Sequence, residues 1–322
     1  MTGSSLFSCP EKGCAHTPLT VCASGLCCPN GHTFPYVSGT QIPVFVCAPE
    51  NSSDYTQANA TQIHDNALRW LFETFNTNEA NLRDNLVARL KLKKGDSVLV
   101  TGAGTGNDLP FLVQHMEGEG TIHAQDISYQ MLLTGAERHG AQLSSPGLNL
   151  CFSVSDATDL PYADNIFDAA YHFGGINLFP DIRRGIAEMN RVVKPGGRIV
   201  IGDEGLAPWL KSTELGKMLV KNNPLYAYEA PLSLLPDTAR QVRLSWVLHN
   251  CFYVLEFTVA DSPLPINIDV PHVGKRGGSI RTRYFGELEG VDPALRNAVY
   301  AAAEKQGISR VAYLEQLLRK QL

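Results

Sequence analysis

The sequence is short of the features that mark membrane, exported and nucleic-acid-coating proteins. No apolar run approaches the length that crosses a bilayer, and no basic segment followed by an apolar one stands at the N-terminus. The formal net charge is only −5, which excludes a chain built as a whole to coat nucleic acid or an anionic membrane. No long-period repeat is visible. We therefore expect a globular cytoplasmic protein without a membrane partner.

Cysteine is nearly absent after residue 47, because six of the eight cysteines lie in the first 47 residues. This bias predicts a small turn-rich module over residues 1–47. Clustered cysteines in a chain without an export signal favour a metal ion over disulfides. Cys9 and Cys14 form one close pair, and Cys28 and His32 form a second. The two pairs are spaced for one tetrahedral zinc ion, with reduced structural thiols as the alternative.

The rest of the chain divides into segments that differ in composition and in hydrophobic pattern. Residues 48–62 are polar and rich in turn formers, so we predict a linker. Over residues 63–262, helical spacing gives way to short apolar runs that alternate with amphipathic segments. This predicts an α/β domain with a Rossmann-like, doubly wound, mostly parallel sheet, whose last hairpin, at 242–259, is antiparallel. Residues 263–322 are predicted to form a C-terminal appendage of a strand and helices.

The clearest functional signal is a glycine-rich turn between a strand and a helix. A predicted strand runs to Thr101, and Gly102-Ala-Gly104-Thr-Gly106 follows before the helix begins. Glycines allow a sharp turn and let backbone N–H groups approach a ligand closely. Such a turn alone could hold NAD, FAD or S-adenosylmethionine, or be only a tight connection.

Two carboxylates follow the next two predicted strands. Asp126 ends the second strand, where it could accept hydrogen bonds from ribose hydroxyls, and Asp156 follows the third. Taken singly, Asp126 could cap a helix and Asp156 could start a turn. Together they lie at the carboxyl ends of successive strands, which is where open α/β sheets bind ligands.

Four segments resemble a known family in their order along the chain. VTGAGTGNDL, QDISYQML, SDATDLPYADNIFDAAYHF and RVVKPGGRIVIGDE are similar to the landmarks of class I S-adenosylmethionine-dependent methyltransferases. The likeness is closest to the ubiquinone/menaquinone-biosynthesis type, and it covers roughly residues 95 to 205. It implies a Rossmann-like fold and S-adenosylmethionine as the cofactor, with S-adenosylhomocysteine as the product.

The resemblance also implies roles for individual residues. The glycines would face the methionine and ribose of the cofactor, and Asp126 would hold the ribose. Ile127 and Met131 would lie against the adenine, and Asp156 would bind the adenine amino group. Asp108 would compensate for a missing acidic residue before the first glycine by binding the methionine amino group. The cofactor-binding residues implied in this way are Thr101, Gly102, Ala103, Gly104, Gly106, Asp108, Asp126, Ile127, Met131, Asp156, Ala157, His172 and Phe173.

His172 is the candidate general base, since it lies on the fourth predicted strand, where Tyr171 to Gly174 would border the reacting methyl group. Methyl transfer from a sulfonium is an in-line displacement that needs mainly positioning. A base is required only if the acceptor must lose a proton. The alternative, which we favour, is a satisfied histidine on a buried strand.

A second resemblance concerns the cysteine-rich module. CPNGHTFPYVSGTQIPVF is similar to the zinc ribbon that precedes some bacterial methyltransferase domains, among them ribosomal RNA guanine methyltransferases. The predicted ligands are Cys9, Cys14, Cys28 and His32. The first pair departs from the usual two-residue spacing, so Cys22 and Cys27 remain rivals for ligand positions. Four protein ligands would make the zinc structural.

These observations support three functions. The first is methyl transfer from S-adenosylmethionine to a small-molecule acceptor. The second is methylation of rRNA or tRNA, with the zinc module and the basic tail gripping RNA. That tail, His272 to Leu322, has nine Lys or Arg against five Asp or Glu, although we favour a solvated face on a helical appendage as the explanation of its charge. The third is a non-catalytic, regulatory cofactor-binding protein. The sequence leaves the acceptor atom and the oligomeric state open.

Overall fold

The structure is a computed structural model that describes residues 4–14, 16–46, 59–143, 145–273, 278–285, 288 and 291–322. Contacts divide the chain into two compact units, Met1–Pro263 and Leu264–Leu322. Residues 47–58, which include Cys47 and most of the predicted linker, lie outside the described residues. The first helix begins at Ala60, inside the segment predicted to be a linker.

The N-terminal module, residues 4–46, forms a small antiparallel sheet of four strands in the order β1-β2-β3-β4. Its core contains Leu19, Leu26 and Phe34 together with three buried cysteines. So few apolar side chains bury little surface, which is typical of modules that need a metal or a cross-link to fold. The strands are β1 (Ser4–Ser8), β2 (Pro18–Cys22), β3 (Gly25–Cys27) and β4 (Thr33–Phe34).

Cys22 and Cys27 form a disulfide across the β2–β3 hairpin. The sequence favoured metal binding over disulfides and left these two cysteines as rival ligands. The structure instead pairs them with each other, because the hairpin places their Cα atoms 6.0 Å apart. This pairing removes both residues from the competition for ligand positions.

The main sheet has seven strands in the order β10-β11-β9-β8-β5-β6-β7. The five strands from β5 to β9 are parallel, and β11 runs antiparallel to both β9 and β10. This arrangement confirms the predicted Rossmann-like fold class with an antiparallel last hairpin. The strands are β5 (Ser97–Thr101), β6 (Gly120–Asp126), β7 (Leu148–Val154), β8 (Phe167–Phe173), β9 (Val193–Glu204), β10 (Ala239–Val247) and β11 (Phe252–Val259).

Both faces of the main sheet are buried. Val98 and Val100 of β5 belong to one apolar cluster, whereas Leu99 between them belongs to a cluster on the opposite face. Successive side chains of a strand point to opposite faces, so helices must cover both sides. The helices of this unit are α1 (Ala60–Thr74), α2 (Glu79–Ala88), α3 (Leu109–His115), α4 (Tyr129–His139), α5 (Ile182–Val192) and α6 (Glu214–Asn222).

The second unit begins with an irregular segment and then has three helices among its described residues, α7 (Ile280–Phe285), α8 (Pro293–Lys305) and α9 (Arg310–Gln321). The side chains of Asp292 and Ser309 cap the N-termini of α8 and α9. The described residues of this appendage contain no strand, and the first regular element there is α7. Ser279 and Thr282 exchange hydrogen bonds between backbone N–H and side-chain oxygen, and this capping arrangement starts a helix.

No helix among the described residues combines the length and the apolar character that a membrane span requires.

Candidate functional site

The glycine turn connects β5 to α3 at the carboxyl edge of the main sheet. Gly102, Gly104 and Gly106 have φ angles of +59°, +54° and +78°, a region that residues with a side chain rarely adopt. Gly102 is also required by space, because a Cβ atom there would lie 2.9 Å from Cε1 of His172. The turn therefore needs glycine for its conformation and, at Gly102, for close packing.

Asp126 ends β6, the strand beside β5, and its carboxylate is bonded to the glycine turn. The N–H of Gly104 donates to Oδ2 at 2.8 Å, and the N–H of Ser128 donates to Oδ1 at 2.8 Å. Burial raises the pKa of Asp126, and the backbone donors oppose that rise. Each oxygen keeps a lone pair for a further donor, so the carboxylate can accept hydroxyl hydrogen bonds while holding the turn.

Asp156 follows β7, the next strand along the edge. Its Oδ1 accepts both the N–H and the hydroxyl of Thr158, at 2.7 and 2.8 Å. This is the turn-forming role that the sequence offered as the alternative to a ligand contact. Within the described residues Oδ2 keeps its capacity for an external donor, so both roles are compatible. Ala157 beside it is buried.

The two apolar residues predicted to contact adenine differ in exposure. Ile127 is 45% exposed at the sheet edge, whereas Met131 on α4 is 2% exposed. The Met131 methyl group lies 3.6 Å from the point where a Cβ of Gly104 would be. Met131 therefore supports the glycine turn from beneath. Ile127 offers the open apolar surface, and the adenine contacts of both residues stay predictions.

Asp108 belongs to an ion-pair network that the sequence analysis missed. Its Oδ1 accepts a guanidinium N–H of Arg83 at 2.9 Å and the Tyr171 hydroxyl at 3.2 Å. Arg83 is 5% exposed and also donates to Glu79 at 2.7 Å. Burial opposes the charge on Arg83, but the carboxylates of Asp108 and Glu79 raise its pKa above the ordinary value. The sequence feature that could have indicated this network is the single arginine of α2, which lies beside the apolar positions of that helix.

His172 lies beneath the glycine turn and is fully buried. Its Nδ1 is 3.0 Å from the Thr101 hydroxyl, and its ring meets that of Phe179 edge to face. Burial lowers its pKa, so the ring is neutral at physiological pH. Nε2 is buried without a partner among the described residues. The ring therefore supports Thr101 and Gly102, and a role as general base stays a prediction.

Beyond β8 the backbone leaves room beside the turn. Gly174 and Gly175 have φ angles of +82° and +104°, and nothing lies within 4 Å of a Cβ built on either residue. Phe173 stacks on Phe252 at 6.0 Å between ring centroids. The resemblance implies that the reacting methyl group lies beside these glycines.

Two adjacent carboxyl groups end β9, and the sequence analysis did not single them out. Asp203 is fully buried and accepts backbone N–H groups of Gly175 at 3.2 Å, Asn177 at 2.7 Å and Glu204 at 2.8 Å. Burial, followed by a hydrogen bond to Asp203 and its charge, raises the pKa of Glu204 well above the usual range. Glu204 therefore carries a proton at neutral pH.

A cleft of about 750 Å³ opens beside the glycine turn. It is formed by α1, the connection to α2 and the residue that follows Gly106. Its lining is mixed, with apolar Phe72 next to polar Asn76, Asn78 and Asn107. A volume of this size accommodates a small molecule.

The N-terminal module brings the four predicted metal ligands together. The ligand atoms of Cys9, Cys14, Cys28 and His32 all lie within 4.8 Å of one another. The sulfur atoms of Cys14 and Cys28 are 3.8 Å apart, and His32 Nδ1 is 3.6 Å from the Cys9 sulfur and 3.3 Å from that of Cys14. A tetrahedral zinc site has sulfur–sulfur edges of about 3.8 Å and sulfur–nitrogen edges of about 3.6 Å. The donor set and its spacing therefore fit zinc.

Neighbouring groups orient these ligands. The N–H of Cys28 donates to the carbonyl of His32 at 2.8 Å, which closes a tight turn around the second ligand pair. The Asn30 side-chain amide donates to the Cys14 sulfur at 3.2 Å, a contact that stabilises a thiolate. Burial raises the pKa of the Cys9 thiol to about 12, whereas the hydrogen bond from Asn30 lowers the pKa of the Cys14 thiol.

The comparisons with known proteins agree with this geometry. Residues 98–197 match the family model described as a methyltransferase domain. The chain is 38% identical over 115 residues to the demethylmenaquinone methyltransferase of Corynebacterium urealyticum, covering 36% of this chain and 44% of that protein. It is 32% identical over 158 residues to the ubiquinone/menaquinone biosynthesis C-methyltransferase UbiE of Stenotrophomonas maltophilia, covering 45% and 61%.

A solved structure supports the fold. Phosphoethanolamine N-methyltransferase 2 of Haemonchus contortus, determined with S-adenosyl-L-methionine, aligns with a TM-score of 0.51 at 14% identity, covering 66% of this chain and 61% of that one. This likeness shows the fold alone. The chain spans less than two thirds of the length of the two curated relatives above. Residues 98–197, which contain the glycine turn, Asp126 and Asp156, are thus the part of the chain that is similar to a methyltransferase domain.

Proposed function

We propose that this protein is an S-adenosylmethionine-dependent methyltransferase that acts on a small-molecule acceptor. One observation carries the proposal: the glycine turn and Asp126 lie at adjacent strand ends and are joined by the 2.8 Å bond from the Gly104 N–H. They do so within the segment that matches the methyltransferase family model. A backbone turn that fits closely against a ligand, beside a carboxylate for ribose hydroxyls, suits the nucleoside part of this cofactor.

The chain's residues would divide the cofactor between them. Asp126 would accept the ribose hydroxyls, and Asp156, through its Oδ2, would accept the adenine amino group. Asp108 would receive the methionine amino group on Oδ2, because Arg83 and Tyr171 already bond to Oδ1. Arg83 thus fixes the orientation of Asp108. When bound, the cofactor supplies a methyl group on an activated sulfonium.

The remaining task of the protein is positioning. The open space above Gly174 and Gly175 gives the acceptor an approach beside the glycine turn. His172 is buried under Gly102 and bonded to Thr101, so we infer that it holds the turn and takes no proton from the acceptor. Two matching relatives are named for menaquinone or ubiquinone biosynthesis. Because this chain spans only part of their length, we extend to it the small size of the acceptor and not its identity.

We also propose that Cys9, Cys14, Cys28 and His32 hold one zinc ion. The four ligand positions are filled by protein, and three of the four side chains are buried. Such a site leaves no position for a substrate, so its role is structural. Elemental analysis of dialysed protein should give one zinc per chain, and protein free of zinc would contradict the proposal.

Cofactor binding is tested by calorimetric titration with S-adenosylhomocysteine. Asp126→Asn should weaken binding at least tenfold, because a neutral amide replaces the carboxylate that accepts the ribose hydroxyls. Asp164→Asn is the matched control, since Asp164 is an exposed carboxylate bonded to Arg191, and its affinity should stay within twofold. Equal affinities for the two variants would contradict the assigned role of Asp126.

Activity is tested by incubating the protein with methyl-labelled S-adenosylmethionine and an extract of its source, with and without ribonuclease. We expect label in a fraction of low molecular mass that is indifferent to ribonuclease. Label in a large fraction that ribonuclease destroys would replace the small-molecule proposal with RNA methylation. Tight cofactor binding without transfer to any fraction would instead favour a regulatory role.

A further inference from the structure

The N-terminal module is bonded to both ends of one loop of the main domain. This loop, Ser155–Pro161, connects β7 to the residues before β8 and carries Asp156 and Ala157. We propose that the metal-bound module positions this loop for adenine binding, so that the metal controls cofactor affinity from outside the cofactor site. The inference rests on the proposed function, which assigns the adenine contacts to this loop.

The first attachment lies where the loop begins. The N–H of Val154 donates to the carbonyl of Pro43 at 2.9 Å, and the N–H of Phe45 donates to the carbonyl of Val154 at 2.8 Å. Val44 pairs with Val154 in the parallel sense, which joins the module to the end of the edge strand β7 through a single bridge. These bonds fix the backbone two residues before Asp156.

The second attachment lies where the loop ends. The N–H of Ser8 donates to the carbonyl of Pro161 at 2.9 Å, and Phe7 pairs with Tyr162 in the antiparallel sense. The Phe7 ring stacks on the fully buried Tyr162 ring, with centroids 5.3 Å apart. A loop held at both ends loses little further entropy when it binds a ligand.

The two attachments are linked to each other and to the metal ligands. The rings of Phe7 and Phe45 lie 5.2 Å apart, and Phe45 is 5.0 Å from Phe34. Phe34 belongs to the same buried cluster as Cys9, Cys14 and Cys28. Cys9 directly follows Ser8 in the chain, so a ligand is one residue from the bond to Pro161.

The module also supports the wall next to the glycine turn. Ile42 packs in one buried cluster with Leu132 of α4 and Val154, and Ala103 of the turn contacts that cluster. Because the module's own core is small, loss of the metal should unfold it and release these contacts together. The adenine loop and the α4 wall would then lose their support.

The test uses the full chain and two readouts that do not depend on activity. S-adenosylhomocysteine affinity is measured by calorimetry before and after zinc is removed with a chelator, and again after zinc is restored. Hydrogen exchange of Ser155–Pro161 is measured on the same samples without cofactor. Zinc removal should weaken S-adenosylhomocysteine binding at least tenfold and accelerate exchange in the loop, and added zinc should reverse both changes.

Two variants separate positioning from folding. Phe45→Leu removes the ring that contacts Phe7 and leaves all four predicted metal ligands unchanged. It should retain one zinc, weaken S-adenosylhomocysteine and 5′-methylthioadenosine by the same factor of three or more, and raise exchange in the loop but not in α5. The control, Cys22→Ser combined with Cys27→Ser, changes the module at a hairpin that has no part in these attachments. It should bind both ligands within twofold of wild type.

The outcomes are distinct. Unchanged affinity and unchanged loop exchange after zinc removal would overturn the inference. If zinc-loaded wild type fails to bind S-adenosylhomocysteine, the proposed function fails. In that case faster loop exchange on zinc removal would still establish the mechanical link but overturn its role in cofactor binding. Both ligands share the adenosine part. If S-adenosylhomocysteine loses affinity and 5′-methylthioadenosine does not, the lost contact is not to adenine, and that result would also contradict the inference.

Discussion

The four-stranded sheet of the N-terminal module and the seven-stranded main sheet are stabilised in different ways. The main sheet buries apolar side chains on both faces, in two large clusters. The small sheet buries six residues in its own cluster, and three of these are cysteines. Apolar burial alone therefore accounts for the first sheet but not for the second. We propose that a metal ion and the edge of the main sheet supply the missing stabilisation, and this dependence would make the small sheet suitable as a conditional support.

The largest expected effect is removal of a metal ligand. Cys28→Ser should abolish zinc binding and unfold the module, because structural zinc contributes about 10 kcal/mol or more to small domains of this kind. Limited proteolysis with mass spectrometry should then find cleavage within residues 4–46 while 97–259 stay protected. The double variant Cys22→Ser, Cys27→Ser should remain uncleaved in the module. Protection of the module in the Cys28→Ser protein would contradict the proposal that the small sheet depends on a metal ion.

The converse change is made in the main sheet. Leu99→Ala removes a fully buried side chain from the centre of β5 and should lower the free energy of unfolding by about 2–5 kcal/mol. Denaturant titration followed by circular dichroism measures this change. Zinc content should stay at the wild-type value, because no metal ligand is touched. Leu178→Ala, at a leucine that is 54% exposed, is the control and should change stability by less than about 0.5 kcal/mol.

A smaller effect is expected where the two sheets meet, at His123. This residue is 1% exposed, lies among the rings of Phe7, Tyr162 and Phe167, and has no hydrogen-bond partner at either ring nitrogen among the described residues. Burial lowers its pKa from 6.5 to about 4. The unfolded chain therefore binds a proton below pH 6.5 that the folded chain takes up only near pH 4, so stability falls as the pH drops through that window.

The His123→Phe variant tests this sign. At pH 5 the wild-type protein should have lost about 2 kcal/mol of stability through this histidine, relative to pH 7.5. The variant should lack that component of the pH dependence, so the two denaturation midpoints should differ in their response to pH. Identical pH profiles for the two proteins would show that His123 is protonated without cost in the fold.

The smallest effect concerns the support of one metal ligand. Asn30→Ala removes the amide donor to the Cys14 sulfur and should weaken zinc binding about tenfold, while the module stays folded at saturating zinc. Competition with a chromophoric chelator measures the affinity. Lys12→Ala, at an exposed position of the same module, should leave the affinity unchanged. An equal loss in both variants would show that Asn30 has no specific role.

Local patterns were enough to predict much of the main domain. Alternating apolar runs predicted its strands, and glycine at positions 102, 104 and 106 predicted a turn that only positive φ angles allow. The spacing of Cys9, Cys14, Cys28 and His32 anticipated the cluster that the structure assembles. In each case the signal lies within a few dozen residues of sequence.

Other features escaped the sequence because they join distant segments. The sequence of α2 does not show which carboxylate pairs with Arg83, because its partner Asp108 lies 25 residues later. Asp203 at the end of β9 bonds to the backbone N–H groups of Gly175 and Asn177, which follow β8. The short helix α7 was not predicted, because its start depends on the exchange of hydrogen bonds between Ser279 and Thr282 and not on an apolar pattern.

The fold class, the glycine turn and the identity of the clustered thiols follow from the amino-acid sequence alone, because they depend on local periodicity, on backbone conformation and on residue chemistry. The pairing of Cys22 with Cys27, the contact of His172 with Thr101, and the bonds of the module to both ends of the Ser155–Pro161 loop became known only from the three-dimensional fold. These outcomes depend on which surfaces meet in space. Ser8 and Pro161 are separated in the sequence by most of the first half of the chain, and no local pattern predicts a contact across so long a separation.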